Sequence, residues 1–177
     1  MDTALQLYIT IKPGDSLSAE EWGQIDRVSE AAYADETGDY TWSDEHDWVL
    51  MGSLDDQIVS CLILIERTGT VNGQPVRLGG IGGVATHPNA QRKGYARQVM
   101  LAAGDFMRDR LGVEFGMLVC DPELTDYYAR MGWQIVTGPV LADQPGGKTQ
   151  LDLTGMVLPC TSLAWPGGSL DLCGLPW

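Results

Sequence analysis

Three of the chain's eleven Lys and Arg residues, Arg92, Lys93 and Arg97, fall within the seven residues Gln91-Arg92-Lys93-Gly94-Tyr95-Ala96-Arg97. This stretch follows a break at Pro88 and leads into a run with apolar residues three and four apart, so Gly94 stands where a helix begins. The first amides of a helix lack intrahelical partners and carry partial positive charge. A glycine lets the backbone come close to a ligand, and neighbouring cations add attraction, so the chemistry this suits is the holding of phosphate oxygens. In a chain of formal net charge -13, such a basic patch makes sense where an anion must be held. A solvated basic helix start is the competing reading.

Two other groups could do chemistry. Residues 35–47 carry Asp35, Glu36, Asp39, Asp44, Glu45 and Asp47 without a Lys or Arg, with Tyr40 and Trp42 between them and Trp48 just after. Carboxylates beside aromatic faces suit a cation or a sugar, although a solvated acidic loop has the same composition. Tyr127 and Tyr128 precede Gly132 in a short helical stretch and face about 100° apart. Either could be a proton donor or a core tyrosine with a satisfied hydroxyl. Cys61, Cys120, Cys160 and Cys173 are widely spaced with no CxxC pair, and only two histidines are present, so neither a zinc site nor a disulfide framework is expected.

The elements that must position these groups follow from periodicity. Residues 5–11 alternate as a strand, and Ser18 with Glu21 has capping-box spacing at the head of a first helix. Residues 48–54 and 58–66 read as a hairpin about Asp55 and Asp56, and Asn72-Gly73 signals a second turn. The next strand, 75–86, holds four glycines, an excess that points to a bulge or a close backbone approach. An amphipathic helix over 94–111 ends at Gly112, followed by a strand at 113–120, a short helix at 122–132, a strand at 133–136, and a last strand at 151–159 before a Gly/Pro-rich coda. The sum is one domain over 1–177, of the mixed α+β class.

Composition narrows the partners. With 24 acidic against 11 basic residues, a nucleic-acid partner is disfavoured. No apolar segment approaches the ~18 residues of a spanning helix, and the start has no signal-peptide pattern. The expectation is a cytoplasmic protein with reduced thiols and no membrane partner, its oligomeric state open between monomer and homodimer.

The series of glycine-rich strand, His-Pro, Gln91-Arg92-Lys93-Gly94-Tyr95-Ala96, amphipathic helix, strand and Tyr-Ala-Arg-Met-Gly-Trp resembles the Gcn5-related N-acetyltransferase (GNAT) superfamily. That resemblance implies the GNAT fold, a mostly antiparallel sheet with splayed central strands and helices on both faces. It also implies acetyl-CoA as cofactor, its pyrophosphate on the amides from Gln91 through Arg97 and its pantetheine arm along the strand from Gly80 to Thr86, with Gly83, Val84, Ala85 and Thr86 as its contacts. A backbone N–H near Val84 would polarise the thioester carbonyl, and Tyr128 would protonate the departing thiolate.

Residues 62–133 further resemble the aminoglycoside 2'-N-acetyltransferases, which end in an acidic, aromatic segment closing on tryptophan, as this chain does at Trp177. The implied partner is a cationic small-molecule amine, received by Asp35, Glu36, Asp39, Tyr40, Trp42 and Asp44, with Gly82, Asp121, Asp152, Asp171 and Trp177 as further lining. Those enzymes carry a glutamate where this sequence has Gly82, so the general base stays open among the acidic segment, Asp121, Asp152 and the terminal carboxylate of Trp177, ranked above His46 and His87. The departure also points to a less charged acceptor of the kasugamycin type. Cys120 ends a strand beside the expected acetyl site, but no histidine is placed to activate it, which favours direct attack in a ternary complex over an acetyl-cysteine route. The rival readings are acetylation of another cationic amine, in a polyamine, peptide or protein, and a CoA-binding module without catalysis.

Overall fold

The computed structural model describes residues 6–36 and 38–177, so Leu5, which opens the first expected strand, lies outside them. The described residues gather into two compact units. One takes in the residues before 38 with 46–64 and 83–103, and the other takes in 38–45, 65–82 and 104–177.

In the first unit β1 (Tyr8–Pro13) pairs antiparallel with β2 (Trp48–Leu54), and β2 with the first part of β3 (Gln57–Val71). The β2–β3 turn places Asp55 and Asp56 at φ 45 and 63, the left-handed pair that a tight hairpin requires and that Asp tolerates. Helix α1 (Ala19–Ala32) starts on the expected capping box: the Ser18 side chain accepts from Glu21 N–H, and the Glu21 carboxylate accepts from Ser18 N–H. Its apolar face buries Ile25 and Val28 against Val49, Met51, Cys61 and Ala85. Ala85 lies near the end of β4 (Gln74–Thr86), where the Tyr33 hydroxyl donates to the Val84 carbonyl. Helix α2 (Tyr95–Phe106) opens in this unit and closes through a π-turn at Met107–Leu111 on Gly112, which has φ 62 and donates its N–H to Met107 O.

In the second unit the strand order is β6 (Gln134–Ile135), β9 (Thr154–Pro159), β5 (Phe115–Cys120), β4, β3, β10 (Leu170–Asp171), β7 (Val140–Gln144), β8 (Gly147–Gln150). The β4–β5 and β10–β7 pairs are parallel, while β5–β9, β6–β9, β10–β3 and β7–β8 are antiparallel. The parallel β4–β5 ladder covers only Leu78–Gly80 against Phe115–Met117, although β4 runs on to Thr86 and β5 to Cys120. The short helix α3 (Thr125–Ala129) follows β5. The sequence reading missed β7, β8 and β10, and its last strand begins at Thr154 rather than at 151. Among the described residues no helix is long and apolar enough to cross a membrane.

Burial raises the Tyr33 hydroxyl above its ordinary value, with the nearby Glu36 carboxylate adding to the effect, and burial pushes the Cys61 thiol up to about 11. Folded-state values above the unfolded ones favour the protonated native form, so this stability is intact below about pH 9 and drains as pH rises through the unfolded and then the folded values. Tyr33→Phe should therefore flatten the alkaline loss of stability in urea unfolding between pH 9 and 11, and a slope equal to wild type would contradict the assignment.

Candidate active site

The basic loop is built from the end of β4. His87 Nδ1 accepts from Asn89 N–H in the turn at Pro88–Ala90, Ala90 N–H returns to His87 O, and the Gln91 side chain donates to Thr86 O at 3.1 Å. Arg92 and Gly94 then adopt φ 62 and 78, turning the chain sharply into α2. The ladder of α2 begins with Gln98 N–H on Gly94 O, so the amides of Tyr95, Ala96 and Arg97 precede it. A Cβ built on Gly94 meets nothing within 4 Å, which leaves room above the loop. Arg92, Lys93 and Arg97 are exposed and, among the described residues, form no ion pair. These features fit a diphosphate: open amides, a clear approach and cations without internal partners. Beside the loop, Gly83 has φ 58 and is exposed, and it breaks the regular course of β4 before Val84.

In the second unit, Trp177 lies on β4. Its indole covers Gly80, its main-chain carbonyl covers Gly82, and its Nε1–H donates to Met117 O at 3.2 Å, with 7% of the residue exposed. Tyr128 is 7% exposed on α3, its ring edge-on to Tyr127 at 5.0 Å and to Trp133 at 6.4 Å. Cys120, at the end of β5, has its thiol raised to about 11, first by burial and then by the adjacent Asp121 carboxylate. It is therefore protonated at neutral pH and a poor nucleophile.

The acidic segment divides. Tyr40, Trp42, Asp44 and Glu45 belong to the second unit, where Tyr40 OH accepts from Asp152 N–H at 2.8 Å, the Thr41 backbone pairs with the Gln144 side chain, and Ser43 N–H donates to Pro176 O at 2.7 Å. Trp42 is 41% exposed and edge-on to Tyr40. Asp39 is exposed there too, whereas Asp35 and Glu36 are exposed in the first unit. Asp171 bonds Lys148 Nζ at 2.9 Å and accepts from Cys173 N–H. Burial would raise its carboxyl, but these hydrogen bonds outweigh burial and hold it low. His46 stacks edge-on with Trp22 at 4.8 Å, and His87 serves its turn.

Residues 15–136 of the 177 match the model of an acetyltransferase (GNAT) domain. The chain belongs to the GNAT family. Among solved structures, it is similar to the Escherichia coli GNAT family N-acetyltransferase YhbS in complex with CoA, with 16% identity over 98% of this chain and 93% of that one and a TM-score of 0.68. A GNAT family acetyltransferase from Brucella melitensis in complex with acetyl-CoA is 16% identical over 92% and 94% of the two chains, with a TM-score of 0.62. A GCN5-related N-acetyltransferase from Kribbella flavida, at 16% identity and a TM-score of 0.59, matches 76% of this chain but 34% of its own, so this GNAT chain spans about a third of that protein. No curated protein matches the chain significantly.

The glycine excess of this GNAT strand marks a close approach, and the chain itself makes it: a side chain at Gly79 would strike Met107 and Val113, and Gly80 and Gly82, where the pantetheine track was expected to begin and the acceptor to be lined, lie under Trp177. Only Gly83 keeps an open approach. Arg67 was overlooked, although it is the sole base in the apolar run Ile58–Val71, an isolation that could have singled it out. A Cβ on Gly82 would stand 2.5 Å from the Trp177 carbonyl carbon. Gly82→Ala should therefore displace the tail and lower stability by about 1–3 kcal/mol in urea unfolding. An unchanged midpoint would show that the tail does not rest there.

Proposed function

We propose that the chain is an acetyl-CoA-dependent N-acetyltransferase acting on an amino group of an aminoglycoside, the 2'-amine, with kasugamycin-type acceptors included. The observation that carries this reading is the turn at Arg92 and Gly94, which presents the leading amides of α2 and three exposed cations that form no ion pair among the described residues, with exposed Gly83 at φ 58 on the preceding strand. Relatives crystallised with CoA and acetyl-CoA support the same cofactor here. When bound, acetyl-CoA supplies the activated acetyl group. The amides from Arg92 through Arg97 hold its diphosphate, the Gln91 amide being engaged by Pro88 O, and the edge of β4 from Gly83 to Thr86 takes the pantetheine amides as a sheet edge takes another strand.

In this reading a backbone N–H near Val84 donates to the acetyl carbonyl oxygen, and Tyr128 gives its hydroxyl proton to the coenzyme sulfur as the C–S bond breaks. The acceptor is a cationic amine drawn by the exposed carboxylates of residues 35–47, with Tyr40 and Trp42 beside them. It must lose its proton before or during attack. Asp121 and Asp152 are the groups proposed to take it, and the protonated Cys120 favours direct attack by the amine.

Thiol release from acetyl-CoA, measured with kasugamycin, other aminoglycosides, spermine and peptide amines, tests the acceptor. Aminoglycoside-dependent release is expected. Release with spermine or peptides alone moves the acceptor class, and CoA binding without any release reduces the chain to a binding module. Tyr128→Phe should lower kcat by about 100-fold or more with coenzyme affinity changed less than about twofold. Gly94→Val should weaken acetyl-CoA binding in calorimetry, because its side chain projects above the loop at a φ that L-residues resist.

A further inference from the structure

Arg67 stands on β3 with its side chain only 13% exposed, and its guanidinium meets three parts of the chain. Nη1 donates to Leu175 O at 2.7 Å, Nη2 forms an ion pair with the Glu45 carboxylate, and the guanidinium carbon lies 4.9 Å from the centre of the Trp177 ring. The tail leaves space for it: a Cβ on Gly174 would come within 2.8 Å of Nη1. Its partners are also joined directly, because Ser43 N–H donates to Pro176 O and Ser43 Oγ donates to the Glu45 carboxylate. Two acceptor elements distant in sequence thus converge on one planar cation.

We propose that Arg67 is a positioning residue for the acceptor, tying the acidic segment 38–45 and the tail 172–177 into one wall. The role as an acceptor wall rests on the function proposed above, whereas the tie itself does not. A guanidinium has donors enough to bond a carboxylate and a carbonyl while stacking on an indole, a combination that a lysine ammonium does not reproduce. The hydrogen bond from Arg67, followed by that from Ser43, holds Glu45 below the usual carboxylate range, so Glu45 remains ionised to anchor the segment. The positive charge of Arg67 is matched there by the Glu45 carboxylate.

Hydrogen–deuterium exchange on the full chain, without acceptor, tests the tie. In Arg67→Met, peptides covering 38–45 and 172–177 should both exchange faster, by about tenfold, while peptides of α2 keep wild-type rates. Faster exchange in only one segment, or in neither, would overturn the proposal. Glu45→Gln keeps the contacts to Leu175 and Trp177, so it should loosen 38–45 while the tail stays protected, and it decides the matter if Arg67→Met does not fold: wild-type exchange at 38–45 would then refute the tie. For the positioning role, Arg67→Met should raise the KM for kasugamycin about tenfold with the KM for acetyl-CoA within about twofold. A parallel rise in both would mark a general structural loss and refute the role. If wild type turns over no aminoglycoside, the proposed function fails, and the exchange result still decides the tie.

Discussion

Main chain rests on main chain at Gly82, where the Trp177 carbonyl occupies the space a side chain would need. Close approach of this kind is available only to glycine, and each glycine in a strand interior costs about 0.5–1 kcal/mol relative to alanine. Burial of the indole over Gly80 and its bond to Met117 O offset that cost. The location matters because Gly80 and Met117 are where the β4–β5 ladder ends. The indole takes the Met117 carbonyl at the last rung, so the tail works as a wedge at the point where two parallel strands part. An unpaired strand edge ordinarily invites pairing, and a wedge that supplies a donor to this buried carbonyl ends the ladder without leaving that group unbonded.

The charge arrangement has a similar division of labour. Lys148 contacts Asp143 at 2.5 Å and Asp171 at 2.9 Å, and Arg67 engages Glu45. Exposed pairs like those of Lys148 contribute little to stability, yet they remove two carboxylates from the field an incoming cation would meet. The three cations around Gly94 are not spent this way. In a molecule with 24 acidic residues, three neighbouring exposed bases without an ion pair among the described residues make a local positive field that a phosphate-bearing ligand would meet.

Local signals in the sequence were sufficient for much of this. Ser18 and Glu21 announced α1, Asp55-Asp56 and Asn72-Gly73 announced the two hairpins, and Gly94 and Gly112 bracketed the second helix, because turns and caps depend on residues close in sequence. The strands β7, β8 and β10 were not legible, since β10 spans only Leu170–Asp171 and gains its identity from pairing with Val71 and Val140, far along the chain. The glycines of β4 were legible as a close approach but not as to what approaches, because Trp177 and Met107 reach them from distant segments. Arg67 was missed for the same reason: its partners Glu45, Leu175 and Trp177 lie 22 to 110 positions away in sequence.

The paired acids bear on the proton that an ammonium acceptor must surrender. A carboxylate held low by cations and hydrogen bonds is a weaker base than an ordinary one, and Asp171 and Glu45 are both held low. Their roles are therefore structural, the first bonding Lys148 and Cys173 N–H, the second anchoring the segment to Arg67. A field of carboxylates also stabilises the ammonium it attracts, so tight capture of the acceptor and easy deprotonation pull in opposite directions. An acceptor site resolves that conflict when carboxylates that recruit the amine are separate from the one that receives its proton. Pinning Glu45 to Arg67 and Asp171 to Lys148 takes those two carboxylates out of both roles.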